Sequence, residues 1–196
     1  MISFKQYLLE APEMIQSSRR PDYLSKLVPS VPGKLIGKIG SYSLIRPHED
    51  HPLYSDMDGD VYHLVHKKQI VGIFPVNELL GRRANIYNPA IHKTHAGKNA
   101  KVKNLVPKVY GTLADKLKLT IESGDQQTRG SRSVWRRLAR IRPVHMDYDR
   151  EVTVYNPAKD ERRAYSRRSD PQVGGYTYAE MTRFELRPKK LKARRK

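Results

Sequence analysis

Residues 116–140 read KLKLTIESGDQQTRGSRSVWRRLAR, and how this stretch is read decides the fold. Leu117, Leu119 and Ile121 alternate with Lys118, Thr120 and Glu122, the period of two of a strand with one buried face. Ser123 to Thr128 is polar and contains a glycine, which marks a turn. From Ser131 the period lengthens. Val134, Leu138 and Ile141 share one helical stripe with Trp135 at its edge, so a helix is expected from Ser131 to Arg142. Thr128 or Ser131 can cap its start, leaving backbone N–H groups directed out of the turn. A strand that feeds a helix through a polar turn suits an anionic or acyl ligand. An ordinary strand–helix connection is the plain alternative.

Outside this unit, composition narrows the class. The 196 residues suit one domain with tails. The net charge is +18, an excess that a solvated surface does not require, and it points to a polyanion, most simply nucleic acid. A cationic membrane-surface protein is the rival class. No apolar run approaches the roughly 18 residues of a membrane-spanning helix, so no membrane partner is expected. The absence of cysteine removes disulfides, thiolate catalysis and cysteine-type zinc sites.

On the N-terminal side, Pro21, Pro29, Pro32, Gly33, Gly37 and Gly40 punctuate residues 21–40, which reads as an irregular lead-in across the surface. Residues 41–76 read as a β-meander: strands at Ser41–Arg46, Val61–Val65 and Ile70–Val76, the last two joined by a hairpin turn at His66-Lys67-Lys68-Gln69. Asp56 to Asp60 lacks the ligand spacing and terminal glutamate of an EF-hand, so it reads as an exposed acidic turn. His48 and His51 with Glu49 and Asp50 read as solvated loop residues, and no metal is expected. Ala84–Tyr87 is a strand that Pro89 ends or bulges, and a bulge would splay it and expose backbone groups.

His95 to Ala100 then opens a helical segment with the stripe Val102, Leu105, Val106, Val109, Leu113 and Leu117. Pro107 cannot donate to the helix ladder. The segment is therefore kinked, or two helices meet near Leu105 with Pro107 in the first turn of the second. Gly97 with Lys98, Lys101 and Lys103 could cradle a phosphate, although it is not a Walker loop.

The element order, together with the segment Leu119–Leu138, resembles the GNAT family of acyl-CoA N-acyltransferases. More narrowly, Ser123 to Leu138 resembles the strand–turn–helix of GNAT-like proteins of tailed phages. The likeness covers about Tyr42 to Tyr155. It implies a mixed, mainly antiparallel α/β sheet flanked by helices, with acetyl-CoA as cofactor, its pyrophosphate held by the backbone of Gly97, Lys98, Asn99 and Ala100. It implies direct attack of a neutral amine on a thioester, with His92 and His95 as the nearest candidate bases. The family spacing is not kept: Thr94 and Asn99 stand at the basic or glutamine position and the small position, and Trp135 stands near the family's acid tyrosine.

Residues 1–11, MISFKQYLLEA, read either as a short amphipathic helix or a frayed end. They also resemble capsid-targeting peptides of phage internal head proteins, in which a protease would cut between Glu10 and Ala11. That implies the host cytoplasm, with packaging into the phage head, and a phage head or host protein as partner. The helix after Ser131 carries Arg132, Arg136 and Arg140 at steps of four, a ladder suited to phosphates, and Ser123, Gln126, Gln127 and Thr128 form the adjoining anion or substrate site. Val152–Tyr155 is a strand, and residues 174–184 supply one closing strand or short helix. Residues 187–196 contain seven basic residues and read as a nucleic-acid-binding tail. The chain thus divides into a lead-in (1–40), a GNAT-like domain (41–186) and a basic tail (187–196). Two functions follow: a phage-type N-acetyltransferase working on or near nucleic acid or protein, or a non-catalytic basic internal head protein that binds DNA.

Overall fold

A computed structural model describes residues 24, 26–48, 59–79, 81–86, 89–96, 99–123, 129–148, 151–164, 168–169, 177–178 and 183–189. The helix and processing site expected at the N-terminus, the His51–Asp58 part of the acidic loop, and residues 190–196 of the tail lie outside them.

The meander is present as expected. Strands β1 (Val28–Pro29), β2 (Gly33–Ile39), β3 (Tyr42–Pro47), β4 (Asp60–His66) and β5 (Gln69–Leu79) are followed by β6 (Arg83–Ile86) and β7 (Ala90–Ile91). The β4–β5 connection has His66 paired with Gln69, and Lys67 and Lys68 both at positive φ, a two-residue hairpin of the primed type. Burial of Tyr42, Leu44, Tyr62, Leu64, Val71, Phe74 and Val76 gives these strands one continuous apolar face.

The irregular lead-in expected over 21–40 is corrected by β2, seven residues paired antiparallel with β3. Its glycines do not break the strand; they permit close approach. A Cβ on Gly33 would lie 2.4 Å from the Arg46 carbonyl, and one on Gly37 would lie 2.8 Å from Thr112 of the helix above. A register shift between Leu35 and Gly37 accommodates the bend.

Helix α1 (Leu105–Leu117) begins at Leu105, not at His95; among the described residues a 3₁₀ turn at Lys93–His95 precedes it but does not meet it near Leu105, and of the two expected arrangements only the place of Pro107, in the first turn, holds. Lys118 at φ 60° closes it through its N–H to the Ala114 carbonyl. That cap takes Leu117 away from the strand expected there, and β8 is only Thr120–Glu122. Helix α2 spans Arg129–Ala139, two residues earlier at its start than expected and three shorter at its end.

Strands β9 (His145–Tyr148) and β10 (Glu151–Val154), helix α3 (Pro157–Ala164), the small pair β11 (Arg168–Ser169) and β12 (Thr177–Tyr178), and β13 (Arg183–Leu186) complete the described chain. The main sheet runs β10-β9-β13-β8-β6-β5-β4-β3-β2, so the last strand inserts centrally rather than closing an edge. Every recorded pairing is antiparallel except β6 with β8. This is the mixed, mainly antiparallel sheet with flanking helices that the sequence predicts.

The core lies between the sheet and α1 with α2. Trp135 is its anchor rather than the edge of a stripe: it is 2% exposed, stacked on Phe184 at 5.7 Å and met edge-on by Tyr110 at 6.1 Å. Ile141, assigned to that stripe in the sequence, is 46% exposed beyond the helix end.

Candidate functional site

The only parallel pair among the described residues, β6 with β8, defines the site. β6, α1 and β8 form a strand–helix–strand unit, so the segments that follow β6–β7 and β8 emerge at the same end of the sheet. The two strands share three rungs, Arg83 with Thr120, Ala84 with Ile121, and Asn85 with Glu122. Then they part. The first continues along β5, Ile86 opposite Val76 and Ala90 opposite Ile73, with one residue more than its partner over that interval, which is a bulge. The second turns to β13, where Ser123 N–H donates to the Phe184 carbonyl and Phe184 N–H donates to Ser123 Oγ, both at 2.9 Å. A wedge therefore opens beyond Asn85 and Glu122. Strands that part leave backbone donors and acceptors facing the gap.

Helix α1 starts at the same end. Its N-cap, Asn104, is left-handed at φ 57° and makes no side-chain cap bond. Uncapped first-turn N–H groups form an anion-accepting end, with Lys103 exposed just before it.

The sequence-predicted residues are distributed as follows. His92 caps a 3₁₀ turn of which His95 is the last residue, and both are buried. His92 Nδ1 lies 2.7 Å from Thr94 Oγ1 and accepts Thr94 N–H at 3.3 Å, so its ring serves as the cap of that turn. Asn99 donates through Nδ2 to the Lys93 carbonyl, and Ala100 packs against the core. Neither forms the helix start, which comes at Leu105. Gly97, Lys98, Gln126, Gln127 and Thr128 lie outside the described residues. Ser123 is buried at the mouth of the wedge with its hydroxyl taking Phe184 N–H. Arg136 and Arg140 are brought together elsewhere, on a groove between α2 and α3, with Arg132 one turn earlier and half-buried.

Two groups were not legible in the sequence. One surrounds His95. Its Nδ1 lies 3.0 Å from Tyr42 Oη, which also accepts Lys101 N–H at 3.4 Å. The His66 ring is 5.3 Å away; its Nδ1 donates to the Ser41 carbonyl, and its Nε2 accepts from Lys101 Nζ at 3.1 Å. With Tyr42 Oη accepting Lys101 N–H, it donates its own proton to His95 Nδ1. Burial first, then the charges of His66, Lys101 and His92, lower the His95 pKa below its ordinary value. A hydrogen-bonded cluster thus ties the loop after β7 to β3 and β4.

The other is a polar row across four strands: Asn85 on β6, Glu122 on β8, Glu185 on β13 and His145 on β9, each opposite the next. Arg83 Nε lies 2.8 Å from Glu122 and its Nη2 3.1 Å from Glu185, while Arg187 holds the second Glu185 oxygen at 3.0 Å. Two carboxylates that would repel are neutralised from both ends. Asn85 Oδ1, at the head of the row, is buried without a hydrogen-bond partner. Single-sequence periodicity carries no trace of this row, because it joins strands that are neighbours in the sheet but far apart in the sequence.

No family model matches the sequence, and no curated protein matches it. Among solved structures, the chain is similar to a Bacillus subtilis acetyltransferase in complex with CoA, at 17% identity and TM-score 0.40 over 74% of this chain and 98% of that one. It is similar to a GNAT family acetyltransferase of Elizabethkingia anophelis with acetyl-CoA bound, at 10% identity and TM-score 0.43 over 76% and 99%. It is also similar to an IAA acetyltransferase of Bacillus cereus, at 17% identity and TM-score 0.38 over 74% and 99%. At that degree of overlap the activities of those proteins do not transfer to this chain.

Proposed function

We propose that this protein is an acyl-CoA-dependent N-acyltransferase of GNAT type, with its site in the wedge between β6 and β8. The parting of the parallel β6–β8 pair, at the end of the sheet where α1 begins uncapped, is the observation that carries this reading. The residues present suit acetyl-CoA. First-turn N–H groups of α1 and the neighbouring Lys103 match a pyrophosphate in charge, and the parted strands match the amides of a pantetheine arm. When bound, that cofactor supplies the activated acyl thioester. The chain's own residues do the rest. The Tyr42–His66–His95–Lys101 cluster holds the loop in place. Asn85 Oδ1 offers a buried acceptor to an amine N–H, and orienting the neutral amine is the main requirement of direct attack. His95 keeps its Nδ1 lone pair for Tyr42 and acts by positioning the loop.

The resemblance of residues 119–138 to phage GNAT-like proteins supports a phage-encoded enzyme, and that of residues 1–11 supports passage into the head. Intact-mass analysis of finished virions tests the latter: a chain starting at Ala11 is expected, and one starting at Met1 contradicts it. For the activity, titration with acetyl-CoA is expected to raise the melting temperature, by about 2.7 kcal/mol of stabilisation at one hundred times Kd. The absence of both a heat of binding and a thermal shift at millimolar acetyl-CoA would remove the assignment.

A further inference from the structure

Helix α2 buries Trp135 and Leu138 and turns Arg136 and Arg137 to solvent, with Arg140 exposed in the turn that follows. Arg136 and Arg140, four residues and about 6 Å of helix rise apart, form one wall of an open groove of about 350 Å³. Asn156, Pro157 and Ala158, at the start of α3, form the other. That helix end is already satisfied: Ala158 N–H donates to Asn156 Oδ1 and Pro157 has no N–H. Its acid, Asp160, accepts the Asn156 N–H at 2.8 Å. The groove is thus walled by guanidinium groups on one side and by a small, neutral, partly apolar surface on the other.

From this geometry we infer that the α2–α3 groove is a docking surface for the phosphodiester backbone of a nucleic acid. Guanidinium groups fork onto phosphate oxygens, and their spacing along α2 presents successive cations to a linear polyanion. The Pro157–Ala158 wall leaves room for a sugar or base edge. The net charge of +18 supplies the long-range attraction that such a surface needs. Arg136 lies in the C-terminal half of α2 and Arg140 in the turn that follows it. The inference does not depend on the acyltransferase reading.

The test uses the full chain, with a fluorescein-labelled 20-nucleotide single strand and the matching duplex, read by anisotropy between 50 and 200 mM salt. Arg136→Ala/Arg140→Ala is expected to weaken binding at least tenfold and to lower the slope of log affinity against log salt by about two. The control Lys34→Ala/Lys38→Ala removes the same charge from exposed positions on β2 and is expected to change affinity less than twofold. The better of the two probes identifies the strandedness. An arginine pair that costs less than twofold, a lysine pair that costs as much, or equal competition by poly-glutamate at matched charge would each overturn the inference.

Discussion

The two halves of the sheet are held together differently. From β2 to β6 the strands pair in sequential order, and the apolar side chains of Leu44, Leu64, Val71 and Phe74 are fully buried. From β8 to β10 the strands have three or four residues each, and β13 arrives from far along the chain. That half relies on an aromatic stack and on arginines that reach between elements. Arg142 donates to both carboxylate oxygens of Asp115, to the Gly111 carbonyl of α1 and to the Arg187 carbonyl after β13. The comparison teaches that contiguous strands can be stabilised by burial alone, whereas short, non-local strands need directional contacts. The wedge lies where the two regimes meet.

The largest break is expected at the stack. Trp135→Ala should cost about 3–5 kcal/mol, measured by urea unfolding, because it empties the space between Tyr110 and Phe184. Leu35→Ala, a half-exposed change in the other half, should cost well under 1 kcal/mol. Arg142→Met should cost about 2 kcal/mol through lost charge-assisted bonds, and should expose the β13 amides to hydrogen exchange before those of β4.

Histidine titration sharpens the contrast further. His95 and His145, one in each half, both have pKa values lowered mainly by burial. The unfolded chain therefore binds more protons than the native one between the lowered native values and the ordinary 6.5. Stability is complete above about 6.5 and is lost as pH falls through that window. His95→Gln should flatten part of the decline seen in thermal melts between pH 7 and pH 5; an unchanged profile would remove His95 as a source of it. At Asn85 the two functions of a buried group separate. Asn85→Leu removes an unpaired acceptor, so it should leave stability within about 1 kcal/mol while lowering kcat/KM for the amine at least tenfold. The smallest effect is at the β4–β5 turn, where Lys67→Asn/Lys68→Gly should stabilise by about 1 kcal/mol by relieving two non-glycine residues at positive φ.

The same division governs what the sequence reveals. Alternation and a turn at His66–Gln69 make the β3–β5 meander readable, because every cue is local. β2 is missed since Gly33 and Gly37 look like breakers until β3 and α1 are seen pressing on them. Leu117 fits both a helical stripe and a strand period, and only the left-handed cap at Lys118 assigns it to α1. Trp135 looks like the edge of a helical stripe in a linear reading, but Phe184, 49 positions later, makes it core. Pro89 does mark the bulge that opens the wedge, yet the Tyr42–His66–His95–Lys101 cluster draws on residues up to 59 apart and leaves no periodic trace.

Hydrogen exchange of the whole chain with and without saturating acetyl-CoA tests the wedge most directly. Protection appearing together over residues 92–106 and 123–128, with 132–158 unchanged, is the predicted result. Acetyl-CoA that leaves both segments unprotected, or that protects only the arginine groove at 136–158, would contradict it.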